Sequence, residues 1–228
     1  WDRPFNWSGI NNCGARNAGG ELLLFMNDDV EARNRDWLTN MVTIARQQPV
    51  GAVGAMLLYP NRTIQHGGVY LVGYGGGVRH LFASCHGTEA AIAPLVQHNR
   101  ECSAVTGACL LSRREVFESV DGFDERLPLV ANDVDYCLRL ADLGMTSVVA
   151  AGAKLVHHEG MSRAGMPETE DIKLFRERWK ERLAQADPYC NPNIDERCDD
   201  WRPNPDANGI LIGRVRDGSR AAIPVFGR

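Results

Sequence analysis

Apolar residues arrive along this chain in short blocks set apart by polar turns, and each block has its own period. Leu22 to Met26 is a continuous apolar run after Ala18-Gly19-Gly20, which predicts a strand buried on both faces of a parallel sheet. Leu38, Met41, Val42 and Ala45 then recur at i, i+3, i+4 and i+7 behind Asp36, and Pro49 closes the pattern; this predicts a capped helix. Val50 to Tyr59 returns as a second buried strand, so the three blocks predict one right-handed crossover unit of an α/β sheet.

Residues 60–80 change character. A turn over Tyr59 to Thr63 leads into alternating residues up to Tyr70 and then into the glycine-rich run Gly73 to Val78. A phosphate-binding glycine loop must open a helix, and no helical period follows, so this run predicts a mobile loop. Residues 81–101 read as irregular and polar, either disordered or part of a binding site. Order returns with a strand over Ala108 to Leu111 and a short helix over Arg113 to Val120 that ends at Asp121-Gly122. Val134, Cys137, Leu138 and Ala141 share one face of a further helix, capped by Asn132 and closed by Gly144. Ser147 to Ala151 predicts a strand, with Lys154 to Gly165 leaving it as a loop. A last amphipathic helix carries Ile172, Phe175, Trp179 and Leu183. Beyond Pro188 the composition predicts an extended tail, so the chain divides into a domain over 1–188 and a tail over 189–228.

Charge and cysteine usage narrow the partners. Lys and Arg number 25 against 29 Asp and Glu, a net charge of −4 without a basic run, which argues against nucleic acid. Seven cysteines without a C-x-x-C pair, and no apolar signal-like opening, point to a reducing cytoplasm. No run approaches the roughly 18 apolar residues of a spanning helix, so membrane association would be peripheral.

Three polar clusters carry the candidate chemistry, each at the end of a predicted strand or the start of a helix, where open α/β sheets bind ligands. Asn27, Asp28 and Asp29 suit either a helix-opening turn or a site for Mg²⁺ or Mn²⁺, which take carboxylates together with phosphate oxygens. Asp133 is either a favourable charge at a helix N-terminus, worth roughly 0.3–1 kcal/mol, or a general base whose ionised form that dipole favours. Asp135, about 200° further round the helix, cannot share its direction. His157, His158, Ser162 and Arg163 suit a structural turn, or a metal with a phosphate beside it.

The ordered blocks "NNCGARNAGGELLLFMNDDVEARNRDWL", "VGAVGAMLLYPNRTIQHGGV", "AVTGACLLSRREVFESVDGFDE", "NDVDYCLRLADLG" and "LVHHEGMSRAG", with "DPYCNPN" after the last helix, resemble the family 2 glycosyltransferases, most of all their bacterial rhamnosyltransferase-like branch. That resemblance implies a GT-A-like fold, a Rossmann-like mixed sheet flanked by helices. It also implies inverting transfer from a nucleotide-sugar donor, dTDP-rhamnose or a UDP-sugar, to a glycan or lipid-linked acceptor. Asp29 falls on the last place of the family's D-x-D motif and is the expected metal ligand; Asn27 holds the first place, suited to a donor hydroxyl or a metal-bound water, with Asp28 between them. Asp133 matches the general base and His157 the histidine of the metal site, with His158 as its substitute. Asn12, Ala15 and Gly20 match the donor-pocket segment, Thr106 and Gly107 the floor of the sugar site. Trp37 matches a core position, and Arg139 falls where it would brace the site; Ser162 and Arg163 stay donor-binding candidates on their chemistry alone.

The family's opening "IIP-x-Y" strand and its base-reading carboxylate have no match here, so the resemblance implies an N-terminally incomplete GT-A domain. The expected setting is the cytoplasm, with work at the inner face of a membrane and homo-oligomer formation both compatible. Two rival readings remain: a non-catalytic remnant serving as an oligomerising module, and a metal-dependent phosphohydrolase, for which a second carboxylate-rich site is not evident.

Overall fold

The structure, a computed structural model, describes residues 1–72, 77–88, 92–158 and 169–191. The described chain begins with α1 (Trp7–Asn17), β1 (Leu22–Met26), β2 (Val30–Ala32) and α2 (Trp37–Ala45). It continues through β3 (Val50–Leu58), β4 (Ile64–His66), β5 (Val69–Val72), β6 (Gly77–His80), α3 (Ala93–Val96) and β7 (Arg100–Cys102). The remainder is β8 (Cys109–Arg113), α4 (Arg114–Ser119), α5 (Asn132–Asp142), β9 (Thr146–His157) and α6 (Glu170–Leu183).

β3 holds only apolar residues and glycine, so it can lie only where both faces are covered. It sits at the middle of a seven-stranded mixed sheet whose main order is β1-β8-β3-β9-β2, with β4 added to β3 and β7 to β9. Alternate β3 residues serve two cores. Ala52 and Met56 face one containing Phe117, Phe123, Tyr136, Leu138, Phe175 and Trp179, from the side of α4, α5 and α6. Val53, Ala55 and Leu57 face a smaller core with Met41, Ile44 and Ala45 of α2.

The sheet keeps one expectation and corrects another. β1 and β3 run parallel in one sheet with α2 between them in sequence, as a crossover has them, and β8 lies between them, antiparallel to both. β1, however, is not buried on both faces: it lies at one end of the sheet order, Leu23 and Phe25 are buried, and Leu24 and Met26 are exposed. The apolar run concealed an alternation, since leucine and methionine occupy the exposed positions as well.

The strand predicted over Ser147 to Ala151 also runs further. Ala55 pairs with Ala150 but Met56 with Lys154, so β9 carries an irregularity around Gly152 and then resumes, pairing with β3 again and with β2. Asn34 and Asn40 donate to the Gly152 carbonyl at 2.9 and 3.0 Å and hold the irregularity in place. The continuation sets His157 opposite Val30. Gly77 and Val78 belong to strand β6, paired with β5, rather than to a loop; the glycine-rich stretch 73–76 lies outside the described residues, as does 192–228 of the expected tail. Residues 81–101 are not simply polar, since Leu81, Phe82, Ile92 and Val96 are buried in the larger core.

Helix α1 had no apolar stripe to announce it. Its buried face is Ser8, Gly9, Asn12 and Ala15, opened by Asn6, whose side chain accepts the Gly9 N–H at 2.8 Å. α5 differs at its start: Asn132 is its first buried residue rather than its cap, and Ala131 before it adopts φ 59°, the left-handed region. Leu38, placed on the buried stripe of α2 by its period, is exposed, and Ile44 takes the inward position.

Candidate functional site

A cavity of about 380 Å³ opens where the C-terminal ends of β4 and β9 meet the start of α5; Trp7, Asn27, Gln65, His66, His80, Thr106, Gly107, Asp133 and His157 are among its lining residues. At one end, backbone geometry holds Asp133. Gly107 N–H donates to Oδ2 at 2.8 Å and Val134 N–H to Oδ1 at 2.8 Å. Each oxygen keeps a further lone pair, as a proton acceptor requires. Residue 107 must be glycine because a Cβ there would stand 2.6 Å from the Trp7 ring.

Asp135 has the separate direction that helix geometry requires. It is fully buried and accepts from Arg139 Nε at 2.8 Å, Arg178 Nη1 at 2.6 Å and Trp179 Nε1 at 2.9 Å. Arg139 also donates to the carbonyls of Val120 and Gly122. It therefore braces α5 against the turn after α4, and Arg178, which also meets Asp124 at 2.5 Å, ties in α6.

At the other end stand Asn27 and His157, with Asp29 outside the lining but against His157. His157 is buried, and its Nδ1 lies 2.7 Å from Gln65 Oε1. Only the imidazole can donate in that bond, so the ring's proton is on Nδ1, and in the neutral ring Nε2 presents a lone pair. That lone pair lies 3.0 Å from Asp29 Oδ1, which is covered and has no hydrogen-bond partner among the described residues. Asn27 turns its oxygen to Trp7 Nε1 at 3.3 Å and its Nδ2 toward His157 Nε2 at 3.4 Å.

With His157 neutral, Asp29 Oδ1 and His157 Nε2 are two converging acceptors, an arrangement that suits a cation. Adjacent ligands of an octahedral Mg²⁺ with bonds of 2.0–2.1 Å stand about 3 Å apart. Among the described residues no group of three or more His, Cys, Asp or Glu side chains converges. A cation here would take two protein donors and fill its remaining positions with phosphate oxygens and water, as Mg²⁺ commonly does.

The two ends are joined along β4. Thr106 N–H donates to His66 Nε2 at 3.4 Å, and His66 Nδ1 lies 2.8 Å from His80 Nδ1. A backbone amide only donates, so His66 carries its proton on Nδ1 and passes it toward His80. Burial, with His80 and His157 adding to it, holds His66 well below the usual histidine range. Thus the neighbouring amides of Thr106 and Gly107 fix His66 and Asp133 respectively.

The other expected site residues fall elsewhere. Asp28 is exposed and lines no part of this cavity. His158 turns away to Glu31, with Nε2 3.3 Å from Oε2, because successive strand residues face opposite sides. Asn12 and Ala15 line a separate cavity of about 780 Å³ beside Phe117 and Arg178. There Asn12 is occupied by the Phe123 backbone, donating to its carbonyl and accepting its N–H. Gly20 is exposed, its carbonyl accepting from Arg114. Trp37 is partly buried against the smaller core. Ser162 and Arg163 lie outside the described residues. Trp7, Gln65, His66 and His80 were not anticipated; the one signal for the middle pair was a polar dipeptide inside an otherwise apolar stretch.

Comparison with known proteins accords with this geometry. The model of "Glycosyl transferase family group 2" matches residues 50–189, well over half of the chain. The chain is 39% identical, over its whole length, to an O-antigen biosynthesis protein of Myxococcus xanthus, of which it spans 17%. It is 41% identical over 63 residues, 28% of its own length and 20% of the relative's, to an N-acetylglucosaminyl-diphospho-decaprenol L-rhamnosyltransferase of Mycobacterium tuberculosis. Thus it covers only a fraction of the curated relatives it matches. Among solved structures, GalNAc-T7 with UDP, GalNAc and Mn²⁺ shares the fold, with TM-score 0.61 and 13% identity over 80% of this chain and 37% of that one. The mixed sheet with flanking helices is a GT-A-like fold, and the chain belongs to glycosyl transferase family group 2.

Proposed function

We propose that this chain carries the diphosphate and acceptor side of an inverting glycosyltransferase site. It moves a sugar from a nucleotide-diphosphate donor, dTDP-rhamnose or a UDP-sugar, to a hydroxyl of a glycan or lipid-linked glycan. The observation that supports this best is that one cavity is lined by both His157 and Asp133. Asp29 Oδ1 lies 3.0 Å from His157 Nε2 behind one end, and Asp133 is held by two backbone N–H groups at the other.

Asp29 and His157 would hold Mg²⁺ or Mn²⁺, which would supply charge to neutralise a departing diphosphate. Asn27, its oxygen engaged by Trp7, presents its amide to the donor side. Thr106 and Gly107 floor the space between. Asp133 takes the proton of the acceptor hydroxyl as that oxygen attacks the anomeric carbon from the face opposite the leaving group, which inverts the centre. The names of the two relatives favour polysaccharide assembly and a rhamnosyl donor. A lipid-linked acceptor would place the work at the cytoplasmic face of a membrane; among the described residues no helix is long and apolar enough to cross one.

Calorimetry with Mn²⁺ and either UDP or dTDP tests the cation end. A saturable, metal-dependent heat is expected, lost in Asp29→Ala; silence from a folded protein would favour the non-catalytic remnant. Product formation tests the base: Asp133→Asn should lower turnover by about 10²–10⁴-fold, and unchanged turnover would remove Asp133 from that role.

A further inference from the structure

Gln65 lies in the middle of β4 with only 7% of its surface exposed. Its Oε1 accepts a hydrogen bond from His157 Nδ1 at 2.7 Å, while its Nε2 is shielded from water and has no hydrogen-bond partner among the described residues. Leaving a buried amide donor unmatched costs about 1–3 kcal/mol. Glutamine is therefore a poor choice here for folding alone, yet the residue lines the cavity that holds Asp133 and His157.

We propose that Gln65 is a two-ended positioning residue. Its oxygen locks His157 in the tautomer that turns Nε2 toward Asp29, and its amide nitrogen is completed by an oxygen of the bound diphosphate. The inference rests on the cation and diphosphate reading above. A diphosphate oxygen suits this amide because it only accepts, while the amide nitrogen only donates. A cation at Asp29 and His157 would also draw such oxygens to that end of the cavity. Groups that orient a metal-bound histidine through its second nitrogen commonly govern metal affinity about 10–100-fold. Here the same side chain would also touch the ligand, so occupancy and histidine orientation become linked.

Two substitutions separate the halves. Gln65→Glu keeps an acceptor for His157 and replaces the donor by an oxygen; Gln65→Met keeps the shape and removes both. ¹⁵N NMR of the ligand-free protein reads the His157 tautomer, electron paramagnetic resonance reads Mn²⁺ binding, and calorimetry with Mn²⁺ reads inorganic pyrophosphate. Gln65→Glu should retain the Nδ1–H tautomer and the Mn²⁺ affinity but bind pyrophosphate at least about tenfold more weakly. Gln65→Met should lose the tautomer preference and bind Mn²⁺ about 10–100-fold more weakly. Wild-type pyrophosphate affinity in Gln65→Glu, or an unchanged tautomer in Gln65→Met, would overturn the proposal. A wild-type protein that binds neither Mn²⁺ nor pyrophosphate would overturn the cation reading and the amide half together. The ligand-free tautomer comparison would still decide the His157 half.

Discussion

On α5 the carboxylates are tied before any substrate arrives: Asp133, at the cavity, by two backbone N–H groups, and Asp135, turned away from it, by two arginines and a tryptophan. At the His157 end, Asp29 Oδ1 and Gln65 Nε2 are covered and have no hydrogen-bond partner among the described residues. The difference is the one the proposed roles require. A base must already point at the reacting hydroxyl, so folding free energy fixes it. A cation and its diphosphate bring their own charges and oxygens, so the protein holds donor atoms ready and leaves their partners to the ligand.

The contrast can be broken most severely at Asp135. Asp135→Ala removes the buried carboxylate shared by Arg139, Arg178 and the Trp179 N–H, and should cost about 3–5 kcal/mol in urea denaturation; a loss under about 1 kcal/mol would show that this network does not hold α5. Gly107→Ala drives a methyl into Trp7 and should cost about 1–3 kcal/mol. Turnover should fall beyond what lost stability explains, because the Gly107 N–H shifts away from Asp133.

The histidines between the ends sharpen the comparison through pH. Folded His66 resists protonation through burial, His80 and His157, whereas the unfolded chain takes that proton below about pH 6.5. The unfolded state then binds more protons. This contribution to stability is complete above about pH 6.5 and declines as pH falls toward the folded pKa, by at most about 1.4 kcal/mol per unit. Urea midpoints compared at about pH 7.5 and 5.5 should show the slope, and His66→Gln should flatten it. The smallest effect belongs to the open end: Asp29→Ala should change stability by no more than about 0.5 kcal/mol while abolishing metal-dependent binding. A large loss of stability there would mean that Asp29 is fixed by folding, as Asp133 is.

Much of the framework was legible from local chemistry. The periods of α2, α5 and α6, the glycine-marked end of α4 and the unbroken apolar run of β3 all follow from residues within one element. α1 was not legible, because small and polar residues rather than an apolar stripe bury it against the Phe123 region. The extension of β9 was missed because Gly152 reads as a break, whereas two asparagines from α2 and the segment before it turn it into an irregularity within the strand. Of the candidate site, separate motifs pointed to Asp29, Asp133 and His157. Gln65 and His66 carried no motif, since their meaning depends on His157, 92 residues beyond Gln65, and on the Thr106 amide.

By itself, then, the sequence determined the segments of β1, α2, β3, β8, α4, α5 and α6 and which carboxylates and histidines stand near element ends. Those choices rest on side-chain periodicity and capping, which act over a few residues. The tertiary structure decided that β8 separates β1 from β3, that Asp28 and His158 face away, and that Asn12 serves another cavity. It also decided that Asp29, Gln65 and His157 meet. Those outcomes depend on strand register and on the β9 irregularity, where pairing between distant segments fixes the direction of each side chain.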